Sequence, residues 1–103
     1  MASLDEIVQK ELAWYAASGF NSKSYLLVNP VDHVYAVNVV VRKSKRQFPA
    51  DVVMMVRVVG DYVVVEDDRT DRPFEDRLMA AGVPREKIIL AYAGEPVPDL
   101  QES

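Results

Sequence analysis

The residues best suited to chemistry stand in three short stretches. Glu66, Asp67, Asp68 and Asp71 form the densest acidic cluster. Carboxylates at a strand end can hold Mg²⁺ for phosphodiester chemistry, where the ion stabilises both attacking and leaving oxygens. On that reading Glu66, Asp68 and Asp71 would make a metal-dependent nuclease site. Alternation along a strand sends Glu66 and Asp68 to one face and Asp67 to the other. The nearest basic residues are Arg69 and Arg72, with no lysine beside them. The plainer reading, a hydrated strand-to-helix loop with a capping acid, is favoured, and no metal is assigned.

The second stretch is basic. Arg42, Lys43, Lys45 and Arg46 put four positive charges between two apolar runs. Such a run can contact phosphates with salt-dependent affinity, Arg57 joining it, or it can face a protein partner. No interleaved aromatics accompany it, although Phe48 follows, and a solvated hairpin loop is the simplest reading. The third candidate is the single histidine, His33, behind Asp32 in a polar turn. A general base needs a partner within hydrogen-bond reach, and no serine or cysteine nucleophile motif accompanies it, so a solvated loop histidine is expected. The sequence has no Gly-rich phosphate loop, no His/Cys metal spacing and no nucleophile elbow. No catalytic residue and no cofactor are assigned, and an enzyme is the weaker hypothesis.

Charge is also segregated. Opposite the basic run, residues 66–76 hold six acids against two arginines. A bipolar surface favours docking to a protein, or self-association, over uniform nucleic-acid binding. The net charge of −4 lacks the basic footprint of a stand-alone polyanion binder.

These stretches must be positioned by one domain, because 103 residues suffice for one core and not two. Half of the chain is hydrophobic and 27% is charged, which excludes wholesale disorder. No apolar run approaches the ~20 residues of a membrane helix. The opening MASLDEIVQK has acids where a secretory leader needs a basic region and an apolar core, and there is no cysteine, so a cytoplasmic protein is expected.

Periodicity supplies the elements. Leu4, Ile7, Val8, Leu12, Tyr15 and Ala16 line one face of a helix that Ser3 and Glu6 can cap and Gly19 can stop. Valine-dense runs over 34–41 and 52–59, with shorter ones over 24–28 and 62–65, predict strands, since β-branched side chains suit a pleated surface. Short connections predict antiparallel hairpins. A second helix should start at Thr70 or Asp71, take Pro73 in its first turn, bury Phe74 and Leu78, and end at Gly82. The run Ile88–Tyr92 predicts a last strand inside the sheet. The expected fold is α+β, in the order α-β-β-β-β-α-β, with a mostly antiparallel sheet of about five strands and both helices on one face. Residues 1–93 are expected to form the domain and 94–103 a loose acidic tail.

From Tyr35 onward the sequence resembles the XisI family, named for controlling factors in the excision of a DNA element, the fdxN element. The carrying segment is YVVVEDDRTDRPFEDRLMAAGVPREKIILAYAGEP. Asp68, Thr70 and Asp71 fit a D-x-T-[ED] pattern. Leu78, Gly82, Val83, Pro84, Arg85, Glu86, Ile88, Leu90 and Tyr92 fit L-x-x-x-GVP-[RK]-E-x-I-[IV]-L-[AG]-[FY]. The chain departs from the family at Val41 and Arg42, where Gly-Trp is usual, and at Met55 and Arg57, where a His and an Asp are usual. An acidic tail also replaces an aromatic, basic one. The resemblance implies a non-enzymatic accessory factor that works with a separate recombinase and binds a nuclease-like partner, XisH. Arg42, Lys43, Lys45, Arg46, Asp68, Thr70 and Asp71 are the candidate partner-binding residues, with self-association as a further expectation. Direct DNA binding through the basic loop is the alternative.

Overall fold

In a computed structural model of the chain, residues 3–16, 22–41, 51–70 and 72–97 are described. The elements are α1 (Leu4–Ala13), β1 (Ser22–Asn29), β2 (Val34–Val41), β3 (Asp51–Val59), β4 (Tyr62–Asp68), α2 (Phe74–Ala80) and β5 (Ile88–Leu90). The strands form one sheet in the order β1-β2-β3-β4-β5. The first four pair antiparallel with their neighbours, whereas β5 runs parallel to β4. The α+β class and the α-β-β-β-β-α-β order are those expected. Hairpin turns force antiparallel pairing, and a connection carrying a helix permits the parallel pair. Both helices cover one face: Val8 and Leu12 of α1 and Phe74 and Leu78 of α2 share a buried cluster with Tyr35, Val37, Met54, Val56, Val63 and Val65. No helix among the described residues is long and apolar enough to cross a membrane.

The first helix begins as its sequence dictates. Ser3 Oγ accepts from the Glu6 backbone N–H at 3.2 Å, satisfying one of the unpaired donors of the first turn. It stops earlier than expected, at Ala13, while Gly19 lies outside the described residues. The last turn tightens instead: Trp14, Tyr15 and Ala16 donate to carbonyls three residues back, at 3.3, 2.9 and 3.2 Å.

Three further expectations are corrected. Strand β4 runs on through Glu66 and Asp67 to Asp68, because Met54 and Met55 of β3 still pair with Asp68 and Asp67. The register shifts between Met55 and Val56, so Glu66 is an extra residue and β4 carries a bulge there. The second helix begins at Phe74, not at Thr70 or Asp71, and Pro73 stands at its N-cap. The last strand is three residues long and lies at the edge of the sheet, not inside it. Ile88 and Leu90 are nevertheless buried, packed with Val63 and Val65 under the helices. The apolar run reflects that face, not a central position.

The end of α2 follows expectation. Gly82 takes a φ of +101°, its N–H donates to the Met79 carbonyl at 3.0 Å, and the Val83 N–H reaches the Leu78 carbonyl at 2.9 Å. This is a Schellman stop, with Leu78 and Val83 both buried beneath it. A Cβ at Gly82 would meet nothing within 4 Å, so its cost is backbone strain alone. Gly82→Ala is therefore expected to lose about 1–2 kcal/mol of stability. In urea denaturation the midpoint should fall with the slope unchanged.

Candidate partner-binding surface

The acidic stretch is divided by the bulge. Asp68 lies opposite Met54, on the helix-covered face, whereas Glu66 reaches Arg57 with an Nε–Oε2 distance of 2.7 Å. Arg57 pairs across β4 with Val64, a residue buried outside the main core cluster, so this ion pair sits on the opposite face. The expectation that Glu66 and Asp68 share a face is thus overturned, because the extra residue shifts the alternation. Asp67 accepts from Arg69 Nε at 3.1 Å. Among the described residues, no group of three or more His, Cys, Asp or Glu stands ready for a metal ion; Asp71 lies outside them.

Asp68 works as a cap. Its Oδ2 accepts from the Phe74 N–H at 2.9 Å, the first residue of α2, while its Oδ1 accepts from the Thr70 N–H at 3.0 Å. Thr70 Oγ1 lies 2.7 Å from the same oxygen. The carboxylate therefore replaces the side-chain cap that Pro73 cannot provide, at the positive end of the helix. The Arg72 carbonyl closes the junction by accepting from the Tyr15 hydroxyl at 2.8 Å. Burial, reinforced by the Asp68 charge, pushes the Tyr15 hydroxyl up to about 12, so it remains a donor.

Beside this junction stands a patch whose tryptophan lies next to the helical stripe, as periodicity places it, but whose arginines sequence reasoning did not bring to it. Trp14 is 45% exposed, with the Arg77 guanidinium 4.2 Å and that of Arg72 5.1 Å from its ring centroid. Arg77 is held by Glu11, 2.9 Å away, and Tyr15 meets Trp14 edge-on at 4.9 Å. Trp14, Arg72, Pro73, Asp76 and Arg77 line a surface depression of about 330 Å³. Only the packing of α1 against α2 joins these residues, so no local spacing announces their meeting. The basic run Arg42, Lys43, Lys45 and Arg46 lies outside the described residues.

His33 is more engaged than a solvated loop residue. It takes a left-handed φ of +56° in the β1–β2 turn, and its Nδ1 lies 2.7 Å from Asp5 Oδ2 on α1. The buried Tyr35 hydroxyl donates to the same oxygen. Burial opposes ionisation of Asp5, but the hydrogen bonds from Tyr35 and His33 outweigh it and hold the carboxyl below its usual range. Burial, then the Asp5 hydrogen bond, pushes the Tyr35 hydroxyl up.

With this geometry in place, comparison with known proteins decides the lineage. The family model described as XisI protein matches residues 1–102. The chain belongs to the XisI family. An XisI-like protein from Anabaena variabilis superposes with a TM-score of 0.73 at 25% identity, covering 84% of this chain and 81% of that one. The fdxN element excision controlling factor XisI from Anabaena variabilis shares the fold, with a TM-score of 0.68 at 16% identity over 94% and 93% of the two chains. Among proteins of curated function, none matches. The XisI match includes the amino-terminal helix and so extends beyond the segment on which the resemblance rests. Its motif positions have structural work here: Asp68 and Thr70 build the α2 cap, and Leu78, Gly82 and Val83 its stop.

Two outcomes are expected. Asp68→Ala should lose about 1–3 kcal/mol in chemical denaturation, since the Phe74 and Thr70 donors lose their acceptor. Asp68→Asn, which keeps one acceptor oxygen, should lose less. Asp5 contributes stability that is fully present above its unfolded value, near 3.8, and lost as pH falls through the lower folded value. Asp5→Ala should therefore lower the melting temperature at neutral pH and flatten its decline below about pH 4 in a circular dichroism series.

Proposed function

We propose that this protein is a non-enzymatic accessory factor in the excision of a DNA element, acting by binding a nuclease-like partner of the XisH type. Membership of the XisI family supports the general role, and the Trp14 patch supports the mode of action. An exposed tryptophan flanked by Arg72 and Arg77, with Tyr15 beneath it, has the composition in which interface hot spots are richest. Both arginines are aligned before binding, Arg77 by Glu11 and each by the indole face, so little side-chain freedom is left to lose. Arg42, Lys43, Lys45 and Arg46 would add long-range attraction and orientation. Asp68 and Thr70 would shape the adjoining loop rather than contribute free charge, with Asp71 a further candidate contact.

The acidic residues support a non-catalytic role. Asp68 is committed to the helix cap and Glu66 is paired with Arg57 on the opposite face, so the two carboxylates do not converge on one site.

Co-purification with an XisH-type protein tests the reading. The wild type is expected to retain that protein, and Trp14→Ala to weaken binding by about 2 kcal/mol, roughly 30-fold in Kd, with its own melting temperature nearly unchanged. Reversing the charges of Arg42, Lys43, Lys45 and Arg46 should slow association and remove its salt dependence. Recovery of DNA without a protein partner, with a salt-dependent affinity abolished by the same reversal, would instead establish direct DNA binding.

A further inference from the structure

The two edges of the sheet differ in a way that family membership does not explain. The β5 edge is sealed by its own chain: Arg85 Nη1 donates to the Ile88 carbonyl at 2.7 Å. Glu95 Oε1 accepts from the Leu90 N–H at 2.9 Å, and the Glu95 N–H donates to the Leu90 carbonyl at 3.2 Å. Arg85 and Glu95 then pair with each other at 3.0 Å, closing the clasp. The β1 edge has no such cover among the described residues. Its eight residues pair without interruption to β2 on one side, with no proline and no bulge. Tyr25, Leu27 and Val28 are 46, 49 and 45% exposed. A long, regular edge bearing apolar side chains is what strand addition requires.

We infer that β1 pairs antiparallel with β1 of a second copy of this chain, centred on Leu26, to give a two-fold dimer with a continuous ten-stranded sheet. The arrangement of side chains selects this occupant. With Leu26 opposite Leu26 of the second copy, Tyr25 faces Leu27 and Ser24 faces Val28, so every exposed apolar residue of the strand gains an apolar neighbour or the shelter of the pair. Lys23, the only charge in β1, then faces Asn29, whose Nδ2 donates to Asp32 Oδ2 at 3.0 Å and holds that carboxylate at the strand end. The cation and the acid therefore meet at both ends of the pair. Parallel pairing in register would instead set Lys23 against Lys23. Two-fold closure leaves the sealed β5 strands as the only free edges, which stops growth at the dimer.

Sedimentation equilibrium on the full chain tests this. A species of twice the 11.6 kDa monomer mass is expected at micromolar concentrations. Tyr25→Lys combined with Leu27→Lys should shift it to monomer, weakening association at least tenfold while the circular dichroism spectrum of the fold is kept, since both positions are exposed in the monomer. The chain has no cysteine, so the register can be read directly. Mixed Tyr25→Cys and Leu27→Cys chains, bridged with a short bifunctional thiol reagent, should cross-link with each other far more than either does alone. A monomer at hundreds of micromolar, a dimer that survives the double lysine change, or preferential linking of like chains would each overturn the inference.

Discussion

The position of one carboxylate organises the carboxyl-terminal half of the fold. Asp68 ends β4, closes the turn through Thr70 and supplies the missing cap of α2 through the Phe74 N–H. It reaches the helix side only because Glu66 is an extra residue; without the bulge, the alternation of β4 would turn Asp68 to the opposite face. Phe74, fixed by that bond, is fully buried and packs beside Tyr15, whose hydroxyl in turn holds the Arg72 carbonyl. The bulge, the cap and the meeting of the two helices are thus consecutive consequences of one added residue. The exposed Trp14 patch depends on the same chain of contacts, because Arg72 reaches the indole from the junction that Asp68 and Thr70 close and Arg77 from the helix that follows it.

Local physics made much of the architecture legible. A 3.6-residue period exposes α1, and valine runs, stiff at χ1, can only suit strands. Gly82 at the end of α2 needs no tertiary information, since few other residues tolerate its positive φ. Features set by pairs distant in sequence stayed hidden. Tyr35 and Asp5 lie 30 positions apart, and Arg77 and Glu11 66 apart, so their contacts exist only once α1 has docked on the sheet and on α2. The edge position of β5 was unreadable for a different reason. A short apolar run looks alike at an edge and in the centre when helices cover one of its faces, and only the clasp of Arg85 and Glu95 distinguishes them.

That clasp also gives physical meaning to the segment 84–90 that carries part of the resemblance. After the Leu78–Gly82–Val83 stop, Pro84 leads into a 3-10 turn at Arg85–Lys87, and Arg85 turns back onto the Ile88 carbonyl. The same guanidinium holds Glu75 of α2 at 3.2 Å. Hydrogen bonding to the Leu90 N–H, which outweighs burial, together with Arg85, keeps the Glu95 carboxyl below its ordinary range. One arginine thereby ties helix, edge strand and following segment together. A lysine, with a single ammonium and no planar fork, could not serve these separate acceptors in the same geometry.

The other face of the sheet carries a constraint of its own. On the face away from the helices, Arg57 and Glu66 form an ion pair whose side chains are only 18 and 25% exposed. Such a pair costs desolvation on both sides, which its mutual attraction and hydrogen bonding must offset. Arg57 of β3 and the extra residue Glu66 of β4 are thereby coupled across the bulge. The bulge in turn fixes Asp68 at the head of α2. One bulge thus delivers Glu66 to Arg57 on one face and Asp68 to the head of α2 on the other, so the two faces of the sheet are coupled through a single residue.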